Sequence, residues 1–163
     1  MTASNRNTYG IAREPAGDRY RQLLDVCLQY GTILLLVVRN NLGLEERGSQ
    51  VLAKLGAHLI EVSQQPEWPG TKLLEDTAAV HRFRFNFSCA EVLKDAADRL
   101  YDWIQPVRPE DLCILRDDGT EFLTSITHER WAGLTLTTDE AEEFRLQAPL
   151  LAKSLRKNTY PLE

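Results

Sequence analysis

Two stretches decide how this chain folds: TILLLVV at residues 32–38 and VHRFRFNF at residues 80–87. The first is apolar on both faces, the pattern of a strand covered above and below, so it belongs in the middle of a sheet. The second alternates. His81, Phe83, Phe85 and Phe87 point one way, and Val80, Arg82, Arg84 and Asn86 the other, as successive strand side chains must.

Between and beyond them the pattern fills in a fold. Leu44, Val51, Leu52 and Leu55 share a helical face over 44–55, with Gly48 on that face and Gly56 ending the helix. Residues 57–63 read as a second strand, 64–70 as a loop rich in turn residues (Pro66, Trp68-Pro69-Gly70), and 71–78 fit neither period. Ser88 with Glu91 forms a capping box that opens another helix, whose buried face is Val92, Leu93, Ala96, Leu100 and Ile104. A strand at 112–116 follows a short linker bounded by Pro106 and Pro109. The order over 32–116 is therefore βαββαβ, the split βαβ arrangement of ferredoxin-like folds. The expectation is an α+β protein with a ferredoxin-like antiparallel core. In it the 80–87 strand lies beside 32–38, and right-handed crossovers put both helices on one face.

Three additions surround that core. Tyr20, Leu23, Leu24, Cys27 and Leu28 make one face of an N-terminal helix over 18–30, capped by Asp18 and followed by Gly31. Asp118-Gly119 signals a hairpin that pairs Arg116 with Glu121, Leu115 with Phe122 and Ile114 with Leu123. After a short strand carrying Ala132, Leu134 and Leu136, Thr137 and Glu140 form a second capping box. That box starts a C-terminal helix, which Pro149 kinks and 150–157 continue. The central strand needs cover on both sides, so an added helix is expected over its second face. Residues 1–17, mostly polar, read as a flexible arm, and 18–163 as a single domain.

Composition bounds the function. At 163 residues, with 43% hydrophobic and 26% charged side chains, the chain can bury a core without disulfides or metals. It has no stretch near the ~20 apolar residues of a membrane span and no apolar signal core, so a cytoplasmic location is expected. Cys27, Cys89 and Cys113 read as buried free thiols. The net charge of −5 is uneven: residues 1–109 balance, and 110–143 hold ten acids against Arg116 and Arg130. An acidic field argues against nucleic acid, which needs phosphate neutralisation, and fits a basic protein partner or solubility.

No nucleotide, metal or cofactor motif is present. His58, His81 and His128 are scattered, and no Cys or His pair has ligand spacing. Asn40-Asn41-Leu42-Gly43 precedes a helix start but lacks the glycines of a phosphate loop, and reads as a connection capped by Asn41. Three features can carry function. His128-Glu129-Arg130-Trp131 lies in a link between strands, where a His beside a Glu suits acid–base chemistry. It lacks an orienting third group and a nucleophile, and a solvated turn with Trp131 over a core edge is the plainer account. Arg82 and Arg84, two apart on one face, suit carboxylate or phosphate recognition; pairing with the chain's own acids is the plainer account. Asp117, Asp118 and Glu121 at the hairpin tip and Asp139, Glu142 and Glu143 at the helix start suit a docking face, with Trp131 a further contact; a solvated surface is the plainer account.

The leading expectation is a non-catalytic interaction or regulatory protein that docks a basic partner, as acidic inhibitors and immunity-type proteins do. A sensor of small anionic ligands at Arg82 and Arg84 comes second, and a hydrolase-type enzyme at His128 and Glu129 third.

Overall fold

The computed structural model describes residues 5–157. The chain is a mixed α+β protein built on one eight-stranded sheet, every neighbouring pair of which is antiparallel. In chain order the elements are β1 (Arg6–Ile11), α1 (Asp18–Tyr30), β2 (Ile33–Arg39), α2 (Glu46–Leu55), β3 (Leu59–Gln65), β4 (Glu67–Trp68), β5 (Thr71–Lys72), β6 (Ala78–Arg84), α3 (Phe87–Ala96), β7 (Glu110–Leu115), β8 (Glu121–Ile126), β9 (Trp131–Thr137), α4 (Thr138–Gln147), α5 (Pro149–Ala152) and β10 (Leu155–Lys157). The sheet order is β10-β1-β9-β8-β7-β2-β6-β3.

Leu34, Leu35, Leu36 and Val37 of β2 are fully buried, and the strand is flanked by β6 and β7, so its two-faced apolarity is used on both sides. Leu34, Leu36, Phe83 and Ile114 face the helices, where α1, α2 and α3 pack together. Lys94 of α3 pins α1 through Asp25 at 2.5 Å. At the centre of this layer Trp103 donates its indole N–H to the Tyr20 hydroxyl at 3.0 Å, which donates on to the Leu93 carbonyl at 2.6 Å. Gly48 sits where α2 approaches the 105–109 link: a Cβ there would come within 2.9 Å of the Val107 carbonyl.

Several expectations are corrected. The sheet has eight strands, two more than the six expected from the core, the hairpin and the short strand after it: β1 and β10 are the additions. Residues 6–11, read as part of an arm, form β1, paired to β9 and β10; their polarity is tolerated because only Tyr9 and Ile11 meet the core. Among the described residues no helix covers the second face of β2. All helices lie on the first, and the second is crossed by the β4–β5 hairpin, whose Trp68 packs with Leu35, Val37, Val80 and Cys113. Gly70 at its tip (φ +81) lies on Ile126 and Thr124, so close that a Cβ would meet Ile126 at 2.7 Å. Asn86 caps α3, its carbonyl oxygen accepting from the Cys89 amide at 3.0 Å, in place of Ser88. Phe87 leaves the strand and is 68% exposed. In the β7–β8 hairpin Ile114 opposes Leu123 as expected, but a bulge sets Leu115 against Glu121, which turns both Phe122 and Leu123 into the core. The Thr137–Glu140 capping box is formed. Past Pro149 one short helical turn gives way to β10. Residues 1–4 and 158–163, the rest of the expected arm and the chain end, lie outside the described residues.

Candidate functional site

Glu110 and Asp111 open β7, a strand buried along its whole length. Two adjacent carboxylates there need partners, because an unpaired buried charge costs several kcal/mol. Glu110, 0% exposed, accepts from His128 Nε2 at 2.9 Å and from the Gln105 amide at 3.2 Å, and the Arg39 Nε lies 3.6 Å away. Asp111, in the left-handed region at φ 55, accepts from the Thr127 amide and from the Trp68 indole, both at 2.9 Å. The Arg39 guanidinium stands 5.6 Å over the Trp68 ring. Gln105 completes the network: its side-chain carbonyl accepts from the Arg39 amide at 2.6 Å, and its side-chain amide donates to Arg39 and Gly43 carbonyls at 3.1 and 2.7 Å.

His128 therefore has an orienting carboxylate, but it is Glu110, eighteen positions upstream, and not Glu129. Glu129 is exposed. Arg130 (φ 51) turns away to stand 5.2 Å over Tyr101, 3.4 Å from Glu14. Trp131 is half-buried, its ring lying against Gly133, where a Cβ would come within 2.6 Å of it. A His–Glu pair can move a proton, and the neighbouring Thr127 hydroxyl is already committed: Thr127 Oγ1 donates to the Trp103 carbonyl at 2.9 Å. The Cys113 thiol is fully buried, and that burial pushes its pKa far up. Among the described residues no group of three or more His, Cys, Asp or Glu is placed to hold a metal ion.

Burial pushes the Glu110 carboxyl above its ordinary value of 4.5, with Asp111 adding to the rise, against the pull of His128, the Gln105 N–H and Arg39. A raised pKa means that the folded state holds this proton more tightly than the unfolded chain. The stability so gained is fully present below 4.5 and is lost as pH rises through the folded value. Glu110→Gln cannot ionise, so its stability relative to wild type should climb as pH rises from 4.5 to the folded value and level off above it. Urea midpoints of both proteins from about pH 4 to about pH 8 give the difference curve; parallel profiles would show that Glu110 carries no such linkage.

Arg82 and Arg84 do project from one face, the one opposite the helices, since Arg82 lies across from Leu35. They do not act as a pair. Arg82 donates to Glu61 on β3 at 3.1 Å and lines an open depression of about 510 Å³ with Arg6, Pro69, Leu115, Thr120 and Thr135. Arg84 lies beyond that depression and is exposed.

The acidic residues are brought together. Asp117, Asp118 and Glu121 ring the β7–β8 turn, Asp139, Glu142 and Glu143 begin α4, and all six are exposed. Arg116, at the base of the turn, joins the two groups: it donates through both terminal nitrogens to Glu140 at 2.7 and 2.9 Å and to the Thr135 carbonyl at 2.9 Å. It does not pair with Glu121. Burial alone would raise the Glu140 carboxyl; Arg116 and the Thr137 cap outweigh it and hold that group below the ordinary range. Hydrogen bonds from Thr120 lower Asp118, and Arg145, paired with Glu142, lowers that residue. Tyr30 donates to Glu143 at 2.6 Å, and burial together with that carboxylate pushes its hydroxyl up to about 12.

No helix of the described residues is long and apolar enough to cross a membrane. Comparison with known proteins finds no matching family model, no similar curated protein and no similar solved structure.

Proposed function

We propose that this chain is a non-catalytic interaction protein that docks a basic protein on the acidic face formed by the β7–β8 turn and the start of α4. The observation that carries the reading is the Arg116–Glu140 bridge. It fastens two exposed acidic segments into one surface and commits the half-buried Glu140 to internal pairing, while six exposed carboxylates face outward, of which Glu142 also pairs with Arg145 and Glu143 accepts from Tyr30. Such a face raises association rate more than final affinity. Residues 33–115 are read with it as a ferredoxin-like unit. That reading is supported by the strand order β7-β2-β6-β3 and by α2 packed on α3 over one face.

The test uses a basic protein captured by the wild type and released by salt. With Asp117, Asp118, Glu142 and Glu143 all changed to Lys, its association should slow about tenfold or more at low salt, because steering of this kind spans ~10 to 10³ in rate. The steep salt dependence of the wild type should flatten as well. Equal rates, with flat salt dependence in both, would remove the reading. A second reading has one observation behind it: Arg6 and Arg82 share the depression with Thr120 and Thr135, two cations against the single carboxylate of Glu121 that also lines it, a balance that favours a small carboxylate or phosphate. Inorganic phosphate raising the melting temperature of wild type, but not of Arg82→Ala, would support it.

A further inference from the structure

We infer that β3 is a self-association edge through which two copies of this chain join their sheets. β3 ends the eight-stranded sheet and pairs with β6 alone, so one row of its N–H and C=O groups has no ladder partner among the described residues. An open edge of this kind is a template for another strand, and proteins usually blunt it with charge, proline or brevity. The opposite edge follows that rule, since β10 has three described residues and carries Arg156 and Lys157. β3 follows it only in part, through the single charge of Glu61 and a register shift between Leu59 and Glu61. Its seven residues, LIEVSQQ, contain no proline and no basic side chain. Leu59, Ile60 and Val62 are 45%, 50% and 48% exposed. Phe87, 68% exposed, sits at the same corner, because Asn86 beside it hydrogen-bonds His58 beside Leu59 at 3.1 Å. These are four of the seven large apolar side chains exposed among the described residues, gathered where the backbone is also open, and such clustering marks an interaction site.

The occupant is a second copy because the strand is complementary to itself. An antiparallel pair related by a two-fold axis through Val62 spans all seven residues, with the register shift between Leu59 and Glu61 at either end of the joint. It sets Val62 against Val62, Glu61 against Ser63, Ile60 against Gln64 and Leu59 against Gln65. No like charges meet in that register, and the one acid is already held by Arg82 at 3.1 Å. A two-fold through Glu61 would oppose two carboxylates, which is destabilising. Charge also steers a basic partner elsewhere. The acidic face lies around the β7–β8 turn and α4, with β7, β2 and β6 between it and this edge, so two copies joined at β3 keep their acidic faces apart.

The test is mass in solution together with a cross-link at the axis. Wild type should sediment at twice the 18.6 kDa of one chain, and Val62→Lys should sediment as a monomer with an unchanged circular dichroism spectrum. Cys27, Cys89 and Cys113 are buried, so Val62→Cys supplies the one accessible thiol and should form a disulfide dimer under mild oxidation. Reversal of Asp117, Asp118, Glu142 and Glu143 should leave the dimer intact, which keeps this inference separate from the acidic docking face. A monomeric wild type at its highest soluble concentration would overturn it. So would a dimer that survives Val62→Lys while Val62→Cys fails to cross-link.

Discussion

Trp103→Ala should cost about 3–5 kcal/mol, the range for emptying a large aromatic site in a core. Trp103 is fully buried and does three things at once. Its ring fills the layer between the sheet and the helices. Its indole N–H satisfies the Tyr20 hydroxyl, which in turn satisfies the Leu93 carbonyl of α3. Its own carbonyl accepts from Thr127 Oγ1 at 2.9 Å and from the Asp111 amide at 3.3 Å. The Ala variant keeps that carbonyl and loses the rest. The cavity and the bond lost at the Tyr20 hydroxyl act together, since a buried polar atom without a partner costs about 1–3 kcal/mol. Trp103→Phe separates the two causes: it restores most of the volume and none of the hydrogen bonding. Tyr20→Phe in that background should then cost less than in the wild type, because the N–H it would have stranded is gone. Urea unfolding of wild type, Trp103→Ala, Trp103→Phe, Tyr20→Phe and the Trp103→Phe/Tyr20→Phe double variant supplies all the differences. A Trp103→Ala loss under about 1 kcal/mol would show that the site collapses around the change and that the Tyr20 chain contributes little.

How far the sequence carried the fold depended on whether a segment's role was written in its own periodicity. β2 and β6 carry strong patterns because their burial is symmetric or strictly alternating, and they pair as expected. Gly48 was legible for the same reason: a glycine on an apolar helical face implies close approach, and α2 does approach the 105–109 link there. β1 was not legible. Arg6, Asn7, Thr8 and Gly10 look like an arm, and the strand exists because β9 and β10 flank it, a tertiary cause with no local trace. The β4–β5 hairpin has two-residue strands, too short for any period, so its turn residues Pro69-Gly70 were legible and its strands were not.

The candidate site divides in the same way. Clustering of the acids in sequence did foretell their exposure, and β8 and β9 return the chain so that α4 comes beside the hairpin. The Arg116–Glu140 bridge that unites them was hidden, because Arg116 fits Glu121 equally well on paper. His128 was singled out with the wrong partner. Adjacency in sequence suggested Glu129, whereas the turn at 127–129 exposes that residue. A usable signal did exist in Glu110-Asp111, placed directly before Leu112-Cys113-Ile114-Leu115. Two acids entering a fully apolar strand must find donors inside the protein, and the residues able to supply them are few.

Asp111→Ala tests that argument where the consequence is largest, and should cost about 3–5 kcal/mol with a local change that can be watched separately. Asp111 is completely buried, and its two oxygens hold two different segments: one accepts from the Thr127 amide of the 127–129 turn, the other from the Trp68 indole of the β4–β5 hairpin. Each bond to a charged acceptor is worth about 1.5–3 kcal/mol, and both donors are left inside the protein when the carboxylate goes. The backbone adds to the loss, since φ is 55 there and an aspartate tolerates the left-handed region better than an alanine does. Asp111→Asn keeps that tolerance and one accepting oxygen, but turns an N–H toward one of the two donors, so an intermediate loss of about 2 kcal/mol is expected. Without its anchor Trp68 should loosen from Leu35, Val37 and Val80, the cluster it covers on the second face of the sheet. That face should then bind an apolar dye, and the Trp68 emission should move to the red, read against a Trp68→Phe control because the chain has three tryptophans. The outcome that sinks the argument is an Asp111→Ala protein within about 1 kcal/mol of wild type whose Trp68 emission is unmoved. The hairpin would then be held by its apolar contacts alone, and the paired acids at the start of β7 would be free for some other role.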